Sequence, residues 1–353
     1  MTYLYIRMFT LRNKLDRKTA KQKLQIESVP RRTVSFYTYT HIAHPRALRD
    51  ELFRAWSVLG VLGRIYLAAE GINAQCSVPE KHWDMFVQHV HSFSGFKHVP
   101  FKIAVEEPRF SFIKLCIKVR KQIVADGLTA DDYDLSNIGT HLTPEAFHDA
   151  MDDPNTIVVD MRNHYESRIG HFEGAITPDC DTFREELPMV KELLADKKDK
   201  KILLYCTGGI RCEKASAYLK NEGFEDVNQL LGGIIDYAHT VKEKGLVSKF
   251  KGKNYVFDDR IAEAVTEDVL SSCDQCGDVC DEFTNCRNVA CNLLFIQCPT
   301  CQEEMHGCCT DRCVEIIALP EEEYTAYRKQ VGSTNSALFK SRQRPDLKRH
   351  TTA

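Results

Sequence analysis

Residues 201–220 constrain this chain more tightly than any other stretch. Lys201-Ile-Leu-Leu-Tyr205 is an apolar run of strand length, and Glu213-Lys-Ala-Ser-Ala-Tyr-Leu-Lys220 is rich in helix formers and closed by Gly223. Between them stands Cys206-Thr-Gly-Gly-Ile-Arg-Cys212. A strand that turns on two glycines into a helix puts Cys206 at the strand's carboxyl end, beside loop N–H groups and the positive end of the helix dipole. That setting favours a thiolate, which is the reactive form of cysteine. Gly208 and Gly209 let the backbone curl around the sulfur with no side chain in the way. Arg211 can return positive charge to the cradle. An inert buried cysteine is the plain alternative. Two glycines, an arginine and a helix start at one turn favour a catalytic Cys206 and Arg211, in a loop completed by Thr207, Gly208, Gly209, Ile210 and Cys212.

Strands expected near 156–160, 201–205 and 226–231 alternate with helices near 143–151, 188–196, 211–222 and 234–244. Thr143-Pro144 supplies a cap and a first helical residue. Such alternation over residues 143–247 predicts a parallel α/β sheet with helices on both faces. Ligands of such sheets bind at the carboxyl ends of strands, where Asp160, Arg162 and Cys206 fall. Asp160 and Arg162 read as an ion pair bracing the site. A Cys-x5-Arg loop would wrap a phosphate, but here Cys212 holds that place and the arginine comes one residue early. The shorter loop has room for a sulfur atom. It resembles the loop of the rhodanese (sulfurtransferase) family, whose cysteine carries a persulfide. Ile157-Val-Val-Asp160-Met-Arg162, His171-Phe-Glu-Gly174-Ala175-Ile176 and Leu230-Leu-Gly232-Gly233-Ile234 resemble further motifs of that family, in order.

At 353 residues the chain has room for two or three domains. Thr33–Tyr39 is β-rich. Pro45–Leu59 is a helix with Leu48, Leu52, Trp56 and Leu59 on one face. Arg64–Ala68 and Ile72–Val78 form a hairpin turning at Glu70-Gly71, and Pro79–Val90 is a second helix. Ile113, Leu115, Ile117 and Val119 alternate with Lys114, Cys116, Lys118 and Arg120, a strand with one wet face. The order β-α-β-β-α-β over residues 30–127 predicts a ferredoxin-like (acylphosphatase-like) domain, joined to the next by a linker at 128–142. The basic face of the last strand suits a nucleic-acid backbone, with an ordinary solvated face as the alternative. The net charge of −3 hides two basic ends. Residues 1–29 read as a basic arm and 321–353 as a basic tail. The excess is +7 over residues 1–32 and +6 over 326–353. Both suit an anionic partner such as RNA, or are solvated disordered ends.

Ten of the fifteen cysteines fall between 273 and 313. Cys273/Cys276 and Cys298/Cys301 are Cys-x-x-Cys pairs, the spacing that lets two thiolates share one tetrahedral Zn²⁺. So residues 248–320 are expected to form a small cysteine-rich metal-binding unit, unable to fold on its thin apolar core alone. Structural zinc is the first reading, an iron–sulfur cluster the sharper alternative, and disulfides the third. His306 stays unassigned. Hydrophobic content of 43% and charged content of 27% fit a globular chain. No apolar run reaches the roughly 18 residues of a membrane span. With no secretory signal evident, a cytoplasmic location with reduced thiols is expected.

Taken together, Gly63-Arg-Ile-Tyr-Leu-Ala-Ala-Glu-Gly-Ile-Asn-Ala-Gln75, the Cys206–Cys212 loop and the cysteine-rich segment resemble the bacterial oxygen-dependent tRNA uridine(34) hydroxylases (TrhO/YceA), over residues 30–320. The resemblance implies hydroxylation of the wobble uridine at carbon 5, giving 5-hydroxyuridine. It also implies a persulfide on Cys206, molecular oxygen as co-substrate with an unspecified electron donor, and the tRNA anticodon loop as partner. The residues alone say less. A rhodanese loop predicts sulfur transfer, and the sequence shows neither a facial His-His-carboxylate set nor a dinucleotide fingerprint. One route is addition of the Cys206 sulfur to carbon 6 of uracil, which makes carbon 5 electron-rich. Cys212 either resolves an oxidised Cys206 or packs at the helix start. Three readings stand: the hydroxylase, a sulfurtransferase acting on a small acceptor or on tRNA, and a non-catalytic RNA-binding scaffold. The oligomeric state is open.

Overall fold

In the computed structural model, residues 11, 13, 16–26, 29–105, 110–129, 132–331 and 344–349 are described. A first helix, α1 (Arg17–Ile26), precedes β1 (Arg31–Tyr39), α2 (Pro45–Val58), β2 (Leu62–Ala68), β3 (Gly71–Pro79), α3 (Trp83–His91), β4 (Lys102–Ile103) and β5 (Leu115–Val119). These strands form one sheet in the order β4-β1-β3-β2-β5. The first four repeat the ferredoxin-like plan. Alternate residues Val34, Phe36, Ile65, Leu67, Ile72 and Ala74 face the helices and bury a core with Leu52, Trp56, Phe86 and Val90. The residues between them, Ser35, Tyr37, Arg64, Tyr66, Asn73 and Gln75, face the other way.

Three expectations change here. The strand with one wet face is not the fourth strand of the plan. It is β5, added to the far edge parallel to β2, with Cys116 opposite Arg64 and Lys118 opposite Tyr66. The fourth strand is the short β4, paired to β1 through Val34 and Ser35. Its two residues carry too little pattern to be read. The arm at 1–29 contains α1, with Ala20 and Leu24 buried; the rest of the arm lies largely outside the described residues.

The second unit begins within the expected linker. There β6 (Thr140–Leu142) pairs in parallel with β10 (Asp226–Leu230), so part of 128–142 is sheet. Between them run α4 (Pro144–Ala150), β7 (Thr156–Asp160), α5 (His164–Ser167), β8 (Gly170–Phe172), α6 (Phe183–Leu193), β9 (Lys201–Tyr205) and α7 (Ile210–Asn221), and α8 (Gly233–Lys244) follows. Thr143 caps α4 by accepting from the Ala146 N–H, with Pro144 in its first turn. The four strands lie parallel in the order β6-β10-β9-β7, as the alternation predicts.

The third unit is woven into the second. β11 (Phe250–Tyr255) pairs with β8 on one side and β12 (Ala262–Ala264) on the other, so hydrogen bonds cross the expected boundary at 247/248. β13 (Phe283–Asn285), β14 (Leu294–Ile296), α9 (Pro299–Glu304) and α10 (Asp311–Ile317) carry the cysteines, and α11 (Glu321–Val331) follows. The tail is not a free basic end in its described part. Arg344 pairs with Asp179 and Asp181, Arg349 with Glu304, and Leu347 is buried. The tail residues 332–343 lie outside the described residues. No described helix is long and apolar enough to cross a membrane.

The N-terminal sheet is clamped to α7. The fully buried Lys214 ammonium reaches Asp126 at 2.5 Å and Glu70 at 3.0 Å. Tyr37 Oη donates to Glu213 at 2.9 Å, and Tyr39 Oη to the Ile210 carbonyl at 3.2 Å. These bonds fix the open face of the sheet over the loop that begins α7.

Candidate active site

The loop after β9 is closed by its own backbone. The Gly209 N–H donates to Cys206 Sγ at 3.1 Å. Gly209 caps α7 at φ +94°, and a Cβ there would meet Tyr37 Oη at 2.9 Å. Both the left-handed angle and the close approach call for glycine. Gly233 serves from behind, since a Cβ on it would lie 2.6 Å from the Cys206 carbonyl oxygen. That contact lets the N–H groups of Ile234 and Ile235 reach the Cys206 and Thr207 carbonyls at 3.1 and 3.2 Å.

Burial opposes ionisation of Cys206. The Cys212 thiol, the Arg211 guanidinium and the amides of Arg211 and Gly209 outweigh it and lower the thiol to about 5. Cys212 moves the other way, pushed up by burial and then by the neighbouring Cys206. It stays a thiol and donates to the thiolate.

Arg211 is not a free cation. Its guanidinium holds Glu166 in a fork, at 2.6 and 2.9 Å. Glu166 sits there because it is the third residue of α5 and completes a capping box with Asn163. Asp160 and Arg162 lie behind the loop, wholly buried. Arg162 bonds both oxygens of Asp160 at 2.8 and 2.7 Å and the Gly170 carbonyl at 2.6 Å. Tyr205, the residue before Cys206, donates to Asp160 at 2.8 Å. This geometry suits bracing and places neither side chain at the reacting sulfur.

In front of the loop is a cavity of about 360 Å³. Its floor is Cys206, Thr207, Gly208, Ile210 and Arg211, and its opposite wall is the open face of the N-terminal sheet. Tyr37, Arg64, Tyr66, Asn73, Gln75 and Lys102 form that wall. None of them was singled out as a site residue from the sequence. The signal available was the alternation of polar residues along the hairpin 64–75, whose buried partners are apolar. Lys102 is only 4% exposed, stands over the Tyr37 ring at 4.8 Å, and has its ammonium pKa lowered by burial. Cys206 itself has no exposed surface.

The cysteines of the third unit form two groups. Cys273, Cys276, Cys298 and Cys301 are brought together as expected, and Cys286, Cys291, Cys309 and Cys313 make a second set. In each set the four sulfurs lie within 4.8 Å of one another. The sulfur separations within each set suit a tetrahedral thiolate site: 3.6 Å for Cys276–Cys298 and Cys291–Cys309, and 3.8 Å for Cys309–Cys313. A metal bonded to sulfur at about 2.3 Å requires edges of about 3.8 Å. Either set can hold a metal ion. Ten clustered cysteines leave room for a second four-thiolate site, but its members are not legible in the sequence, because their spacings are Cys-x4-Cys and Cys-x3-Cys and the adjacent Cys308 obscures them. Cys280, Cys308 and His306 stand outside both sets, and all fifteen cysteines are free of disulfides.

Comparison with known proteins follows the same three units. Residues 31–123 match the UPF0176 acylphosphatase like domain, 143–240 the Rhodanese-like domain and 251–314 the Rhodanase C-terminal family. A tRNA uridine(34) hydroxylase of Leptospira interrogans is 53% identical over 337 residues, covering 96% of this chain and 92% of that protein. The protein of the same name from Escherichia fergusonii is 48% identical, covering 96% and 97%. That from Enterobacter sp. is 47% identical, covering 97% and 98%. With three domains matched in order and near-complete coverage on both sides, the chain belongs to the tRNA uridine(34) hydroxylase family.

Proposed function

We propose that this protein hydroxylates the wobble uridine of tRNA at carbon 5, using molecular oxygen and the sulfur of Cys206. The observation that carries this reading is Cys206, with the Gly209 N–H on its Sγ, at the floor of a cavity of about 360 Å³ with a polar and aromatic far wall. The base comes from an anticodon loop, so presenting it costs less than extracting a paired one. Sulfur addition at carbon 6 pushes electron density to carbon 5 and O4, and carbon 5 then meets the oxygen species; loss of the carbon 5 proton afterwards expels the sulfur from carbon 6 and restores the double bond. Inserting one oxygen atom while the other leaves as water takes two electrons and two protons from a reductant outside the chain.

Because Cys206 has no exposed surface, the reading favours a persulfide. Its outer sulfur, taken by the Cys206 thiolate from a small sulfane-sulfur donor that leaves as its reduced form, stands about 2 Å beyond Sγ and so enters the cavity. Arg211 acts through Glu166 and its own amide to hold the anion's surroundings, and Asp160 with Arg162 keeps β7 and β9 in register behind it. Both four-thiol sets carry zinc in this reading, supported by sulfur separations that suit a tetrahedral ion. Bound zinc supplies folding energy to a unit with little apolar core and takes no part in the chemistry. The chain works in the cytoplasm, where tRNA is found and thiols stay reduced.

The test uses purified protein, wobble-uridine tRNA, isotopically labelled oxygen gas and a soluble cell extract freed of this protein and any parallel enzyme as the source of the reductant. Labelled 5-hydroxyuridine at the wobble position is the expected product. A thiolated nucleoside instead would establish sulfur transfer to tRNA, and an unlabelled hydroxyl would move the oxygen source to water.

A further inference from the structure

Arg64 and Gln75 stand opposite each other on β2 and β3, and both side chains line the cavity over Cys206. Among the described residues neither makes a side-chain hydrogen bond or ion pair, whereas Arg211, Lys214 and Tyr37 around them are all committed. Asn73, next on the same face, spends its amide N–H on the Ile123 carbonyl at 3.2 Å and leaves its carbonyl oxygen to the cavity. So the wall opposite the nucleophile offers a donor-only guanidinium and two amide groups, at half-buried positions where an uncommitted polar group is costly unless a ligand completes it.

Uracil presents, along one edge, the acceptor O4, the donor N3–H and the acceptor O2. An amide such as that of Gln75 answers N3–H and a neighbouring oxygen, but by turning over it answers cytosine equally well. A guanidinium cannot turn over. It has no acceptor, so it takes O4 of uracil and rejects the amino group that cytosine carries there. We propose, on the function argued above, that Arg64 is the residue by which this enzyme selects uridine. Gln75 and Asn73 orient the base edge beside it. The N-terminal sheet thus reads the base that the rhodanese-type loop modifies. Arg64 also faces the oxygen on which negative charge grows as sulfur adds at carbon 6, so the same contact tightens in the transition state. Lys118 and Arg120, exposed beside Tyr66 on the neighbouring strand, continue the cationic surface outward for the phosphates that flank the base.

The test separates recognition from turnover. Anticodon stem-loop RNAs carrying a thiouridine photoprobe at the wobble position are irradiated with the full-length protein, and the adducts are mapped by peptide mass spectrometry. Adducts in the peptide spanning residues 64–75 are expected, and adducts confined to residues 143–247 overturn the proposal. In parallel, stem-loops with uridine or cytidine at the wobble position compete for wild type, Arg64→Gln and Arg64→Lys. Wild type is expected to prefer uridine by about tenfold or more, the scale of one well-placed base contact. Arg64→Gln should lose the preference and Arg64→Lys retain part of it, with Cys206 thiolate absorbance unchanged in both. An Arg64→Gln variant that keeps the wild-type preference overturns the assignment. These binding readouts stand even if no hydroxylated product forms, which would count against the chemistry and not against base selection.

Discussion

At the scale of single residues, the site turns on two sulfurs driven in opposite directions by one another. Cys206 is lowered to about 5 although burial alone would raise it, and Cys212 is raised. A lowered value means that the proton leaves Cys206 at lower pH, so the thiolate is populated above about 5 and lost below it. Thiolate absorbance of wild type minus Cys206→Ser should therefore rise through pH of about 5 and be flat at neutrality. Removing the donor with Cys212→Ala should move that midpoint upward while the fold persists, since the change deletes one buried sulfur. A midpoint unmoved by Cys212→Ala would show that the loop amides and Arg211 suffice and that Cys212 only packs. Of these features, the position of Cys206 between a strand end and a helix start is readable in the sequence, because two glycines and a helix start are local signals. The sequence did not reveal that Arg211 is bound to Glu166. That partner lies 45 residues away and reaches it only through the fold.

Among elements, the strand–loop–helix unit β9–α7 depends on backbone that only glycine adopts comfortably. Gly209→Ala would place a side chain at φ +94° and 2.9 Å from Tyr37 Oη. It should lower stability by about 1–2 kcal/mol from the left-handed backbone alone, visible as a lower Tm, and displace the N–H that holds Cys206 Sγ. A variant with unchanged Tm and activity would contradict the geometry. Strong, periodic elements such as α2, the β2–β3 hairpin and β9 were readable from their patterns. Short elements were not. β4 and β6 are two and three residues long, and they exist because a neighbouring strand offers them hydrogen bonds. β5 carried a clear alternation, but alternation gives a strand and its wet face, not which edge of the sheet it joins.

For the molecule as a whole, an arrangement that no local pattern encodes brings the candidate active site together. The floor comes from residues 206–211 and the opposite wall from residues 37–102, held together by Lys214, Glu70 and Asp126. Sequence reading could identify both domains and still not tell that one forms the lid of the other's cleft. The cysteine-rich unit extends the same lesson, since half of the eight cysteines in its two clusters have no readable spacing. Elemental analysis should find two zinc ions per chain. Chelation should open residues 268–318 to proteolysis while the core around Trp56 and Phe86 stays protected. One ion, or iron with labile sulfide, would contradict the zinc assignment. On the proposed function, wobble-uridine hydroxylation depends on the sulfur of Cys206. Nucleoside mass spectrometry of tRNA from cells lacking this protein and any parallel enzyme, complemented with wild type or Cys206→Ala, tests it most directly. 5-Hydroxyuridine is expected to return with wild type and to stay absent with Cys206→Ala. Full restoration by Cys206→Ala would contradict it.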